Sequence, residues 1–384
     1  MENISAIGQR CFGCKSCEQS CPRHCITMEE NAEGFWYPAV DEKSCVDCGK
    51  CLKACPAADP SVHRSQPRSV WAWRNRSDAD LMRSASGGAA DSAARAVLEM
   101  GGRVFGAAYD ENLTVGHIEL KSDSEREKIQ SSKYVQSDPG DSYSRVKARL
   151  LAGKSVLFTG TPCQIAGLYA FLGGDAPGLY TVDLICHGVP SPKLFQKYIE
   201  YWSRRDGRVI SFNFRAKAGR GWGTQYQIKT KTRIRTGTLA LDRYGKHFMD
   251  GDCYRQCCYQ CPYANTQRTG DLTVGDFWGI GKSHPDFDSP KGVSSVFVNT
   301  PKGEELLEKM RPFGLAEPAS LEQAMVKQGN LVKPTVRPEA RNTFYREIDR
   351  PGYIESLRVG LQMKERVKAA LPAGMVRWLK KRLG

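Results

Sequence analysis

Short apolar runs alternate with helix-like stretches through most of the chain. VWAWRN (70–75), RVFGAAYD (103–110), SVLFTG (155–160) and LYTVDLIC (179–186) each carry the near-continuous apolar character of a strand. Between them, residues 89–100 repeat small and apolar side chains at helical spacing and close on Gly101-Gly102, and 142–151 and 164–172 follow the same period. Apolar strands separated by helices predict a parallel sheet buried on both faces. Residues 208–240 are Thr-rich and alternating, which predicts an antiparallel insertion, and SSVFVN (294–299) with the helix after Pro301 returns to the first style.

Two segments break the pattern. Residues 58–69 hold Pro60, Pro67, Ser61, Ser65 and Ser69 with little apolar content, the composition of a linker. From Leu361 to Leu383, Val367, Leu371, Met375, Trp378 and Leu379 interleave with Lys364, Arg366, Lys368, Arg377, Lys380, Lys381 and Arg382, and Pro372 and Gly374 interrupt. That predicts a basic amphipathic helix pair, docked or solvated in preference to lying on a membrane surface. The expected organisation is a small unit over 1–57, a linker over 58–69, a large domain in two parts over 70–150 and 151–330, and a basic helical tail over 331–384.

Composition narrows the chemistry. The 384 residues, 40% hydrophobic and 26% charged, suffice for a small module plus one large or two medium domains. With no apolar run of about eighteen residues and no charged-then-apolar leader, cytoplasmic residence is expected. The 15 cysteines then read as metal-binding thiolates rather than disulfides. A formal charge of +14 suggests nucleic acid, but it counts cysteine as neutral, and metal binding deprotonates cysteine. Three cubane clusters of charge about −2 each would leave about +8, an excess that suits an acidic partner or an anionic cofactor.

The cysteines are arranged as a repeat, Cys11-x2-Cys14-x2-Cys17-x3-Cys21-Pro22 and Cys45-x2-Cys48-x2-Cys51-x3-Cys55-Pro56. A C-x2-C-x2-C loop wraps three thiolates around one iron–sulfur cube, and in two-cluster ferredoxins the cysteine before proline crosses to the other cube. Cys11, Cys14, Cys17 and Cys55 are therefore assigned to one 4Fe-4S cluster, and Cys45, Cys48, Cys51 and Cys21 to a second. Zinc, which takes C-x2-C pairs in four-ligand sites, fits two such runs badly, and with it falls a zinc and nucleic-acid-binding function.

Cys25 lies outside both runs and reads as a small buried residue. In the large domain, Cys163 and Cys186 each follow the carboxyl end of a predicted parallel strand, where open α/β sheets hold ligands. Joined with Cys258 and Cys261, they make a third four-thiolate set. Cys163 also opens a helix, whose dipole favours a thiolate. Cys253 and Cys257 receive no role. The fold class is thus an α+β ferredoxin-like N-terminal module followed by an α/β domain with a mixed, largely parallel sheet and an antiparallel insertion.

Clusters carry single electrons, so hydride chemistry would require a flavin beside them. Ser84–Gly88 at a helix start and Thr159–Pro162 at a strand-to-helix turn are places where backbone amides meet phosphate. SASGG (84–88), SSKYVQS (131–137), TGTPCQIAGL (159–168), DLICHGVPSP (183–192) and CYQCPYANTQRTGDLTVGDFWGI (258–280) together resemble the coenzyme F-420 hydrogenase/dehydrogenase beta-subunit family. That resemblance implies FAD beside a cluster in the large domain and hydride exchange with a deazaflavin or another anionic organic substrate, including a sugar-linked one in polysaccharide assembly.

It also implies flavin or substrate contacts at Ser86, Gly87, Gly88, Ser132, Lys133, Tyr134, Thr161 and Gln164. Asp276, Phe277 and Trp278 are expected to shape the pocket. Lys133 and His187 are the candidate catalytic groups, and a small redox protein or redox subunit is the expected partner. An electron-transfer subunit that wires a separate catalytic partner is the alternative. Arg215, Lys217, Arg220 and Trp222 are expected either to line an opening for an anionic substrate or to face water.

Overall fold

The computed structural model describes residues 3–357 except Val62, with five isolated positions beyond; the helix pair expected in the basic tail lies outside the described residues. The N-terminal module is built around a hairpin, β1 (Ile26–Glu30) against β2 (Trp36–Val40). Its cysteine loops repeat in backbone as well as in sequence. Gly13 (φ +69°) corresponds to Asp47 (φ +48°), and Lys15 (φ +61°) to Gly49 (φ +68°), each in the left-handed region that curls a loop inward. The core of the module is Ile4, Ile7 and Ile26 with Cys11, Cys17, Cys21 and Cys25 themselves.

The segment from 58 to 69 is pinned to the large domain. The His63 ring stacks on Tyr169 at 4.6 Å, Arg64 donates to the Pro262 carbonyl at 2.7 Å, and Ser65 bridges to Arg268.

The large domain follows as β3 (Ser69–Asn75), α1 (Ala89–Glu99), β4 (Arg103–Tyr109), β5 (Val115–Leu120), α2 (Ser142–Leu151), β6 (Val156–Gly160), α3 (Pro162–Leu172), β7 (Leu179–Leu184) and α4 (Pro192–Asp206). A three-stranded antiparallel sheet, β8 (Val209–Asn213), β9 (Gln225–Thr230) and β10 (Ile234–Thr238), is inserted next, as expected. The chain then returns through α5 (Arg243–Asp250), β11 (Leu272–Asp276), β12 (Ser294–Val298), α6 (Pro301–Met310) and β13 (Gly314–Ala319).

These strands form an eight-stranded sheet of order β13-β3-β12-β11-β7-β6-β4-β5. Four adjacent strands, β11, β7, β6 and β4, are parallel, and the flanking strands pair antiparallel. Trp73, Val97, Leu157, Leu306 and Met310 pack one face; Phe105, Tyr143, Phe158, Ile165 and Leu168 pack the other. Burial on both faces explains why β7 and β12 carry apolar side chains without a strict in-out alternation. β12 nevertheless runs antiparallel to both its neighbours, since nothing in an apolar run encodes direction. Among the described residues, no helix is long and apolar enough to cross a membrane.

Candidate redox centre

The carboxyl ends of β6 and β7 deliver Cys163 and Cys186 to one edge of the sheet, and the loop after α5 brings Cys258 and Cys261 to meet them. All four line a cavity of about 330 Å³. Burial, with Cys261 and Cys258 beside it, pushes the Cys163 thiol up to about 12, and burial with Cys258 beside it does the same to Cys261. Cys186 is raised by the same causes. The helix dipole at Cys163 is thus outweighed, and these sulfurs become thiolates only when a metal replaces their protons.

In the module, Cys14 is raised by burial and by Cys17, Cys55 and Cys11, so Cys55 from the second run does reach the first loop. Cys21, Cys45, Cys48 and Cys51 surround a second, smaller cavity together with Cys25. Cys25 is buried as expected, its Sγ 3.4 Å from that of Cys21. Among the described residues, no three His, Cys, Asp or Glu side chains converge as a single metal ion requires.

The two units meet at sulfur. A side chain on Gly167 of α3 would touch Cys14 Sγ at 3.0 Å, and Gly167 is one helical turn beyond Cys163. Tyr143 feels both Cys14 and Cys163, and Tyr263 feels both together with Cys261. Lys15–Asp138 (2.8 Å) and the buried Arg341 with Glu33 lock the contact.

Residues 153–324 match the family model for the carboxyl-terminal part of the coenzyme F420 hydrogenase/dehydrogenase beta subunit, and residues 10–58 match the 4Fe-4S dicluster domain. Over residues 153–324 the large domain is thus similar to the F420 hydrogenase/dehydrogenase beta-subunit family. The chain is therefore an iron–sulfur electron-transfer protein of an F420-hydrogenase-like oxidoreductase type. A chain of the F420-reducing NiFe hydrogenase complex from Methanosarcina barkeri shares the fold with TM-score 0.50 and 20% identity, over 74% of this chain and 93% of that one.

The B component of an ion-translocating oxidoreductase complex from Methanosarcina acetivorans is 37% identical over 46 residues, 12% of this chain and 16% of that protein. An uncharacterised protein from the rpl9–rpl11 intergenic region of Porphyra purpurea is 27% identical over 66 residues, 16% of this chain and 84% of that one.

Around the large cavity, Ser86, Gly88, Ser132, Lys133, Tyr134, Thr161, Gln164 and His187 all line the wall. Gly87 does not: a Cβ there would meet the Trp73 carbonyl at 2.1 Å and the Ser294 amide at 2.4 Å, so glycine lets this loop lie against the sheet. Several polar groups already have protein partners. Thr161 and Gln164 form a reciprocal cap of α3, and Gln164 Nε2 donates to Ser137 Oγ at 3.0 Å. Ser86 Oγ donates to the Val293 carbonyl at 2.7 Å. Lys133 Nζ donates to the Gln130 carbonyl at 2.9 Å, and burial brings this ammonium down to about 7. Burial also lowers His187, which stays neutral at pH 7.

The basic residues of the insertion divide. Arg215 grips Asp276 with two bonds of 2.7 and 2.8 Å and reaches Tyr134 Oη at 3.0 Å. Burial works against the Asp276 charge, but Arg215 holds the carboxyl below its usual range. Trp222 donates to Asp276 and stacks on Trp278 at 4.6 Å. Lys217 is buried, donating to the Leu81 and Ser86 carbonyls and so bracing the 84–88 loop rather than facing water.

Among the lining residues that carry no sequence signal are Phe12 of the module, His117 on the mixed strand β5, Arg255, and Gln328 and Asn330 beyond β13. Buried His117 Nδ1 has no partner, while Nε2 meets the Thr159 carbonyl at 3.0 Å. Cys257 lines the cavity beside Cys258, and Cys253 is buried in the aromatic core under α4 and α5.

Proposed function

We propose that this chain is a flavin-dependent oxidoreductase in which the two clusters of the module exchange electrons with an FAD held in the large cavity. The observation that carries this reading is the series of sulfurs from exposed Cys48, through the buried Cys11 and Cys14, to Cys163 in the cavity wall. A third 4Fe-4S cluster on Cys163, Cys186, Cys258 and Cys261 belongs to the proposal. Four partly buried thiols lining one cavity are a donor set that fits it.

When bound, FAD supplies the exchange of a hydride for two single electrons. The cavity is in the range of ligand sites, about 300–1,000 Å³. The start of α1 behind Ser86 and Gly88 and the turn at Thr161 would hold phosphate, and Ser132, Tyr134 and His117, whose Nδ1 has no partner, would face the rings. Lys133, with its pKa near neutrality, and His187 are the groups that would move a proton at the substrate. That substrate is a deazaflavin or another anionic organic molecule, including a sugar-linked one in polysaccharide assembly. A small redox protein or redox subunit would exchange electrons at the Cys48 face, in the reducing cytoplasm.

The second reading is a wiring subunit with no substrate of its own; its support is that both Methanosarcina relatives come from complexes of several proteins. Anaerobic reconstitution is expected to yield about twelve irons per chain and stoichiometric FAD, with deazaflavin or a sugar-linked acceptor reduced by a low-potential ferredoxin. Clusters without flavin would leave the wiring reading; colourless protein, or zinc in place of iron, would end both.

Lys133 gives a pH test. Its ammonium is charged below about 7 and neutral above. An anionic ligand favours the charged form, so FAD retention should strengthen as pH falls through 7 and weaken as it rises. Lys133→Met is expected to lower retention about tenfold at pH 6, about 1.4 kcal/mol, and to flatten that dependence. Equilibrium dialysis across pH 6–9 measures both, and an unchanged slope removes Lys133 from the site.

A further inference from the structure

Arg255 stands where the module meets the cluster-bearing loop, and none of its surface is exposed (0%). Nε donates to the Cys11 carbonyl at 2.7 Å, Nη2 to the Trp36 carbonyl at 2.8 Å and Nη1 to Gln136 Oε1 at 3.3 Å. The guanidinium lies 4.1 Å from the Tyr37 ring centroid and 5.5 Å from that of Phe35. All three acceptors are neutral. Burial opposes its charge, and the groups that sustain it most are Cys11, Cys257, Tyr37 and Cys258.

An isolated buried cation is costly unless something anionic lies close by. Two of the nearby sulfurs belong to different ligand sets, Cys11 to the first set of the module and Cys258 to the set in the cavity wall; the third, Cys257, belongs to neither. A cube held by four thiolates is an anion, and it becomes more negative on reduction. A fixed cation in a water-free position therefore acts on both couples at once.

We propose that Arg255 is a positioning residue for electrons: its buried charge raises the reduction potentials of the Cys11/Cys14/Cys17/Cys55 and Cys163/Cys186/Cys258/Cys261 sites together, keeping the step between them nearly level. Each couple is a one-electron change from 2+ to 1+, with the electron supplied by the external reductant and no bond or proton moved. The outer Cys21/Cys45/Cys48/Cys51 site feels this charge least. The inference rests on the three-cluster reading above.

The test is a mediated redox titration of the full anaerobically reconstituted chain, followed by low-temperature electron paramagnetic resonance. In Arg255→Met the two inner couples are expected to move negative by at least tenfold in their equilibrium constant, about 59 mV, while the outer couple moves less. Arg255→Lys should restore most of the shift, which a purely structural role would not predict. Inner couples unmoved at full iron content overturn the proposal.

Where Arg255→Met fails to load iron, Gln136→Glu sets a carboxylate against Nη1 and is expected to shift the same couples in the same direction; unmoved couples in that variant also overturn it. Unsubstituted protein showing only two couples with about eight irons would instead refute the three-cluster reading, before any variant is compared.

Discussion

Cys163→Ala is expected to lower the iron content of the reconstituted chain from about twelve to about eight and to leave the signals of the ferredoxin module in place. Cys163 is on α3, directly after the short turn from β6, and Cys186, Cys258 and Cys261 come from two other segments, so no neighbouring cysteine of α3 can replace it. Cys257 is the one spare thiol in the cavity wall, and it lies beside Cys258. Removing the sulfur leaves three raised-pKa thiols that revert to their protonated forms. Electron delivery from a ferredoxin to the cavity is then expected to fall at least a hundredfold, equivalent to about 2.7 kcal/mol in barrier. Iron and sulfide analysis with stopped-flow reduction measures both, and retention of about twelve irons would take the third cluster away from Cys163.

Gly167→Leu is expected to push the module away from the large domain at Cys14, the one ligand that rests on α3, while removing no ligand. Its first side-chain carbon alone would stand 3.0 Å from Cys14 Sγ, 3.0 Å from Tyr143 Oη and 3.1 Å from Cys14 Cβ. The branched remainder has nowhere to go except into the contact that seats Cys14 on α3. Overpacking of this kind costs about 1–3 kcal/mol, offset in part by the gain of about 1 kcal/mol on removing a mid-helix glycine. The variant should therefore stay folded and loaded, while transfer from module to cavity slows at least tenfold. Gly167→Ala should behave close to the unsubstituted chain. A leucine variant with full iron and an unchanged transfer rate would show that electrons do not pass at this contact.

Much of the fold could be read from apolar runs, because strands covered on both faces need no alternation. That is why β3, β4, β6, β7 and β12 stand out in the sequence, and why strand ends alone put Cys163 and Cys186 at one edge. β5 did not stand out. Its sequence, VGHIEL, mixes buried Val115 and Leu120 with His117 and with Glu119, whose charge is held by Arg145 and Arg149. His117 was hidden with it.

Gln328 and Asn330 reach the cavity from a segment with no regular period, and long-range proximity leaves no local trace. Arg255 was invisible for a related reason. A basic residue beside cysteines reads as exposed until the module is seen to close over it. Burial likewise reversed the expectation at Cys163, where the helix start predicted a lowered pKa and the surroundings raise it.

The stacking of His63 on Tyr169 and the Ser65–Arg268 bridge tether the stretch that joins the two units, and the Lys15–Asp138 and Arg341–Glu33 pairs clamp the module itself to the large domain. Proteins that ferry electrons on a swinging arm must wait for the arm. Here the module is bolted in place, so under the proposed function throughput would be governed by the docking of outside molecules and by chemistry in the cavity, and would be indifferent to solvent viscosity once both ends are saturated.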